Sequence, residues 1–380
     1  MNALWTLPHH RVSVLLMALA ACTDAPRDRM PSDYAWELPE HFPVPIVPDD
    51  NPMSAVKVEL GRHLFYDRAL SRDRNQACAS CHQQQHGFTD LRVTSIGSTF
   101  ETHPRNAQGL ANVAYAATLT WAHPDVTTLE QQAPIPIFGT EPVELALYGM
   151  EAELVQRLRD EPRYQSLFPD AFPNNADAFS IDNMVRALAT FQRTLIAGDS
   201  AYDRFVYGDD TSALTESAQR GLALFNSDEL KCTRCHGGVL LQDAVTYEGN
   251  DAPSPALFHN TGLHNVDGLG AYPASNTGLY AFTQLPEDMG RFRAPGLRNV
   301  AVTAPFMHDA SIGTLGDVID HYAAGGQASP LKDPLIAGFA LAPTERLDLI
   351  AFLQSLTDET FLEDARFADP WQAPCELCEP

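Results

Sequence analysis

Basic side chains are scarce in this chain. Its 380 residues carry 25 Lys and Arg against 49 Asp and Glu, giving a formal net charge of −24 and a pI near 4.7. A surface so short of positive charge argues against binding nucleic acid or lying on an anionic membrane face. It favours solubility instead, and it can steer a basic patch on a redox partner. Long apolar runs are missing as well: past residue 22 none is long enough to span a bilayer. Cysteine is limited to seven residues, few enough to assign one at a time. The length suits about two domains of ordinary size.

The N-terminus reads as an export signal. His9, His10 and Arg11 precede an apolar stretch from Val12 to Ala20, and Leu19-Ala20-Ala21-Cys22 forms a lipoprotein-type cleavage box. Residues 1–21 are then a signal peptide and Cys22 a lipid anchor, the sole expected membrane contact; ordinary cleavage near Ala21 is the alternative. Residues 22–52, rich in Pro, Asp and Arg, read as a tether that wraps onto the body, with Trp36 packing it down. At the other end, Cys375 and Cys378 are followed by Glu379. They read as a local disulfide, with a tail metal site as the alternative.

The remaining four cysteines organise the chain. Cys78-Ala-Ser-Cys81-His82 and Cys232-Thr-Arg-Cys235-His236 each set two sulfurs and an imidazole on one face of a helical turn. This is the attachment pattern of a c-type haem, with thioethers to the vinyl groups and an axial His on iron. Chance would supply about 0.004 matches in a chain of this composition, so two are a strong signal. A zinc or redox CxxC that happens to precede a His is the competing reading.

An internal repeat accompanies the pair. Gly61-Arg-His-Leu64-Phe65 precedes the first motif and Gly221-Leu-Ala-Leu224-Phe225 the second. The expected fold is mainly α, with two cytochrome c-like haem domains and extended loops. The first domain runs over 53–200, the second over 201–358, and a tail over 359–380. Apolar phasing predicts helices from Ser54 and over 151–159, 181–196, 314–322 and 344–356, and loops over 168–175 and 243–292.

Several strings together, CASCHQQQHGFTD, PRNAQGLANVAY, PVELA, FRAPGLRNVAVTAPFMHD and DHYAAGG, resemble the bacterial dihaem cytochrome c peroxidase and MauG superfamily over roughly Leu38 to Asp358. FHNTGLHNVDGLGAYPASNTGLY and PEDMGRFRAPGLRN look most like its MbnH group, whose members oxidise tryptophan to kynurenine on an exported copper-binding protein, MbnP. The resemblance implies that His82 is the proximal ligand of the peroxide-reacting haem and His236 that of the electron-transfer haem. It makes Glu144 the distal acid and base, although a lone Glu after Pro is by itself more often a helix-start charge. Gln132 takes a polar distal-pocket position. Trp121 takes the place of the tryptophan between the haems, against a plain reading as a core indole. Asn106, with the carbonyls of Thr303 and Pro305, matches calcium ligands between the domains.

Two positions depart from conventional peroxidases of the superfamily. Ser98 stands where those place a blocking His, so the first haem is expected to be five-coordinate; His103 lies near enough to substitute. Tyr322 stands at the methionine ligand of the second haem, where a phenolate would favour oxidised iron; His321 points some 100° away on the helix. Arg293 and Arg298 are candidates for the haem propionates. Met307, His308, His86, His259 and His264 read as structural, loop or haem-edge residues. The expected function is a MauG-like periplasmic enzyme with two haem c and Ca²⁺. It would use hydrogen peroxide to reach a bis-Fe(IV) state that oxidises tryptophan on a partner. The rivals are a dihaem peroxidase drawing on small donor proteins and a non-catalytic dihaem electron carrier.

Overall fold

The computed structural model describes residues 34–250 and 257–372. The expected signal segment, Cys22, Cys375 and Cys378 lie outside the described residues. Within them the chain is mainly helical. The one sheet among the described residues pairs Phe258–His259 antiparallel with Phe292–Arg293. No described helix is long and apolar enough to cross a membrane.

Two helix crossings organise the molecule, and the repeat explains both. The Ala55–Tyr66 helix starts at Ser54, whose side chain accepts a hydrogen bond from the Lys57 N–H. It crosses the Ile181–Arg193 helix so closely that a Cβ on Gly61 would lie 2.0 Å from the Ala187 carbonyl and 2.8 Å from the Phe191 Cβ. The Glu216–Phe225 helix crosses Pro343–Gln354 in the same way. A Cβ on Gly221 would lie 1.9 Å from the Asp348 carbonyl and 2.8 Å from the Phe352 Cβ. Any side chain at either glycine would push the helices apart.

Each crossing seeds a core. The first gathers Leu60, Leu64, Phe65, Leu188 and Phe191, with Phe65 and Phe191 5.3 Å apart. The second gathers Tyr202, Phe225, Leu349 and Phe352, with Phe225 and Phe352 4.9 Å apart. Burying a side chain of this size contributes roughly 1.5–3 kcal/mol. The Glu359–Glu363 helix returns Phe361 to the first core, 5.6 Å from Phe88, so the chain's end packs against its beginning.

The arm at 34–50 ties the two cores together. Phe42 is buried against Tyr115, whose hydroxyl donates to the Pro43 carbonyl. His41 stacks on Tyr207 and meets Asp203 at 3.1 Å. Trp36 makes an edge contact with Tyr34.

One expected loop is partly helix. Residues Tyr164–Ala171 are helical with Pro169 inside, because Phe168 and Ala171 are buried in the first core and Phe168 stacks on Phe179. That burial outweighs the hydrogen bond the proline forgoes. The described part of 243–292, residues 243–250 and 257–292, is, as expected, chiefly loop, apart from its strand residues and short helical turns such as Tyr280–Thr283.

Candidate functional site

Two cavities carry the sequence-predicted residues. In the first, Cys78–Cys81 makes one helical turn and the His82 N–H closes it on the Cys78 carbonyl at 3.0 Å. Cys78, Cys81 and His82 therefore line a single cavity with about 630 Å³ of empty space. His82 Nδ1 lies 2.8 Å from the Phe88 carbonyl. Only a protonated Nδ1 can make that bond, so Nε2 keeps a free lone pair for a metal. The carbonyl gets there through a tight turn in which Gly87 and Phe88 both have positive φ. For a phenylalanine this is a strained backbone, sustained by a fully buried side chain. Burial pushes the Cys78 thiol up to about 12 and the Cys81 thiol up to about 11. Neither is in a disulfide. Two neutral, unpaired thiols beside a pre-oriented imidazole fit a thioether-linked haem.

Glu144 and Gln132 line the same cavity. Glu144 is fixed through its backbone: the Ser98 N–H donates to the Glu144 carbonyl at 2.6 Å. Gly97 makes this approach possible, since a Cβ there would lie 2.2 Å from the Val143 carbonyl. The Glu144 side chain is 34% exposed, but onto the cavity, and burial alone pushes its carboxyl up to about 7. Gln132 ends the Leu129–Gln132 turn, which Thr128 caps.

Ser98 is fully buried, donates from Oγ to Asn75 Oδ1 at 2.8 Å, and is not among the residues lining the cavity. From the sequence, its meaning was that a serine in place of the blocking His leaves the first iron open; the fold adds that its N–H clamps the Glu144 backbone. His103, by contrast, does line the cavity, its Nε2 3.7 Å from Glu144 Oε1.

The second cavity, with about 1600 Å³ of empty space, is lined by Cys232, Cys235, His236 and Tyr322 among many apolar side chains. Here a 3₁₀ turn at Cys232–Arg234 replaces the α turn, and the His236 N–H again closes on the first cysteine's carbonyl, at 2.9 Å. His236 Nδ1 is buried without a hydrogen bond. Tyr322 lies on the Leu315–Ala323 helix, its phenol driven well upward by burial and by the two cysteines. His321 turns aside and bonds the Thr261 carbonyl.

Arg293 also lines this cavity. It is buried, bonded to Gln108 and the Thr120 carbonyl but to no carboxylate, and held down to about 10 by burial. A buried guanidinium without a counter-ion fits a propionate. Arg298 does not fit one: it pairs with Asp203 at 2.7 Å and donates to the Val239 carbonyl. That guanidinium is already neutralised inside the protein.

Beside Cys235, His259 bridges Asp243 at 2.8 Å and Asp333 at 2.7 Å. The bond to Asp243, with further help from Cys235 and Asp333, pushes it up to about 11. Nothing in the local pattern around His259 marked this bridge, because Asp243 and Asp333 are far from it along the chain.

A short segment joins the two cavities. His103 faces the first, and three residues later the Asn106 carbonyl accepts from Trp121 Nε1 at 2.8 Å, Trp121 lining the second. The Asn106 N–H donates to His308 O at 2.9 Å, and its side-chain amide meets the Pro305 carbonyl at 2.5 Å. Asn106 and Pro305 are thus together, with Thr303 two residues away. An oxygen-bound cation here would need the amide oxygen, rather than its nitrogen, turned inward.

The family model for di-haem cytochrome c peroxidase matches residues 55–211. The cytochrome-c peroxidase IdrP1 of Pseudomonas sp. (strain SCT) is 38% identical over 341 residues, covering 85% of this chain and 86% of the relative. The methylamine utilization protein MauG of Methylophilus methylotrophus is 33% identical over 345 residues, covering 90% of this chain and 94% of the relative. The crystal structure of a MauG-like protein associated with microbial copper homeostasis superposes with a TM-score of 0.86 at 45% identity, over 89% of this chain and 100% of the other. The chain therefore belongs to the di-haem cytochrome c peroxidase and MauG family, oxidoreductases that act on peroxide with two haem groups.

Proposed function

We propose that this protein is a MauG-type oxidase that uses hydrogen peroxide to oxidise tryptophan on an exported, copper-binding partner of the MbnP kind. The observation that carries the reading is Tyr322 in the second cavity with Cys232 and Cys235, where the resemblance gives conventional peroxidases a methionine. The 45% identity to a MauG-like protein of copper homeostasis supports the same choice. When bound, the haems supply the iron that meets peroxide and stores its oxidising power. Glu144, whose carboxyl burial pushes up to about 7, takes a proton from the incoming peroxide and returns it to the departing oxygen. Gln132 orients the peroxide beside it. Trp121 carries charge between the cavities, so the partner's tryptophan is oxidised from the surface without entering either one. His82 and His236 would each hold one of the two irons, and Tyr322 would be a further ligand to the second.

The same reading assigns 53–200 to the peroxide-reacting unit and 201–358 to the electron-transfer unit, with calcium at Asn106, Thr303 and Pro305 joining them. It places the mature protein in the periplasm, anchored at Cys22. The test is to purify the protein with its exported partner, add peroxide, and examine the partner by mass spectrometry. Oxygenated tryptophan is expected. An unmodified partner, with a small donor cytochrome oxidised instead, would return the protein to the conventional peroxidases, a reading favoured by its 38% identity to IdrP1.

A further inference from the structure

We propose that His264, His308 and Asp309 form a binding site for a divalent transition-metal ion of the Zn²⁺ or Cu²⁺ class, apart from the two haem attachment turns. One ligand atom from each, a ring nitrogen from either histidine and a carboxylate oxygen from the aspartate, lies within 4.8 Å of the other two. His264 Nε2 is already 2.7 Å from Asp309 Oδ2. His308 is 5% exposed, and its Nε2 is buried with no hydrogen-bond partner among the described residues. A bare interior imidazole nitrogen is costly to leave unmet, and an ion shared with His264 and Asp309 meets it. Two imidazoles and one carboxylate are the donors of a three-ligand zinc or copper site, whereas calcium takes oxygen donors alone.

The three ligands come from two separately braced segments. His308 and Asp309 lie in the turn closed where Phe306 pairs with Ile312, the Phe306 N–H donating to the Ile312 carbonyl at 2.7 Å. Met307 and Ala310, on either side of the pair, have φ of +74° and +57°, a strained backbone that the turn sustains. The His308 ring stacks on Phe292 with centroids 3.6 Å apart. Asp309 Oδ1 accepts from the Ser311 N–H, which leaves Oδ2 for His264. His264 follows a loop pinned by Asn260, whose side-chain oxygen accepts from the Gly262 N–H and the Tyr272 hydroxyl. The ligands therefore converge with little rearrangement left to make. The His264 and Asp309 side chains are 24% and 16% exposed, so an ion enters from solvent and meets His308 on the inner side. Once bound, it ties the 260–264 loop to the 306–312 turn.

His308 also lines the second cavity, so a haem propionate is the competing partner for its free nitrogen. The experiment uses the dihaem holoprotein, freed of loose metal with a chelator, returned to chelator-free buffer with excess Ca²⁺, and titrated with Zn²⁺ by calorimetry. One equivalent is expected to bind with a Kd of about 1 µM or below. His264→Ala, on the exposed side of the site, is expected to weaken this by about 10²-fold or more, and Asp309→Asn by about tenfold. Zn²⁺ should raise the melting midpoint of the wild type and leave that of His264→Ala unchanged, with the haem spectra of the two identical. Equal Zn²⁺ binding in wild type and His264→Ala would reduce it to scattered surface carboxylates and overturn the proposal. So would a wild-type Kd weaker than about 100 µM. A His308→Gln variant that shifts the second haem's spectrum yet binds Zn²⁺ as tightly as wild type would give His308 to the propionate and overturn it too.

Discussion

The two halves of this protein begin from one template and end in different chemistry. Both set a glycine-mediated helix crossing ahead of a Cys-x-x-Cys-His turn, and both close that turn from the histidine N–H to the first cysteine's carbonyl. The linings then diverge. The first cavity holds Gln76, Ser95, His103, Gln132, Glu144 and Gln192, groups that bind or move protons. The second is walled mainly by Leu, Ile, Val, Phe and other apolar side chains, among which stand Tyr322, Arg293, His236, His259, His308, Glu229, Lys231 and Thr261. A reaction that shuttles protons to oxygen needs the first lining; a site that only gains and loses electrons is better served by the second, where little solvent has to reorganise. The difference teaches that a duplicated scaffold keeps what attaches the cofactor and changes what faces it.

The largest expected effect strikes this contrast directly. Glu144→Gln keeps the shape of the first cavity and removes its base, so the reaction with peroxide should slow by about 10²-fold or more in stopped-flow measurements. In the wild type the rate should rise with pH through about 7, as the carboxyl loses its proton, and Glu144→Gln should flatten the profile. A wild-type rate in the variant would mean that the polar lining has no catalytic meaning.

A second way to break the comparison is to remove the bridge that only the second unit has. The carboxylates of Asp243 and Asp333 flank His259 beside Cys235 and favour its protonated form. Its folded value, about 11, lies above the ordinary histidine value of about 6.5. The stability it contributes is therefore fully present below pH ~6.5 and is lost as pH rises through about 11. His259→Leu leaves two carboxylates facing each other, at a cost of roughly 2–4 kcal/mol. Chemical denaturation of the variant should show this loss near neutral pH and a smaller one in strong alkali. A loss of the same size at every pH would deny the charge its role.

The shared template is tested at its glycines. Gly61→Ala and Gly221→Ala should each destabilise by roughly 1–3 kcal/mol, because the added carbon meets backbone carbonyls that cannot move aside cheaply. Similar shifts in the two variants would support the duplication. Loss at one site alone would show that only one crossing is tight.

How much of this was visible beforehand divides along the same line. The attachment motifs, the repeat and most helices were legible because they are local: Ser54, Thr314 and the apolar phasing mark helix starts within a few residues. The repeat's purpose was not, since its partners, Ala187 with Phe191 and Asp348 with Phe352, lie more than 120 residues away along the chain. Distance also hid the distal groups. Charge alone made Arg298 as good a propionate partner as Arg293, and only the fold shows Asp203 already neutralising it. His103 read as a residue near enough to stand in for the blocking ligand, and only the fold sets it 3.7 Å from Glu144. Phe168 read as part of a proline-broken loop because burial in a distant core leaves no mark on local pattern.

The smallest expected effect concerns Ser98, and it sharpens the comparison most finely. Read from the sequence, the serine matters because it cannot bind iron; in the fold, its hydroxyl is occupied by Asn75 and its N–H by the Glu144 carbonyl, outside the cavity lining. These two accounts differ in what Ser98→Ala should do. The variant keeps the backbone clamp on Glu144 and loses one hydroxyl–amide hydrogen bond, a cost of about 1 kcal/mol. Electron paramagnetic resonance of the ferric holoprotein should show one high-spin and one low-spin haem in the wild type, and the same pair in Ser98→Ala. Ser98→His is the sharper variant: a side chain at this position starts toward Asn75, so the high-spin signal should persist there too. Conversion of that signal to low spin in Ser98→His would mean that position 98 does reach the first iron, and that the openness of the first haem depends on which residue stands there rather than on where the backbone points it.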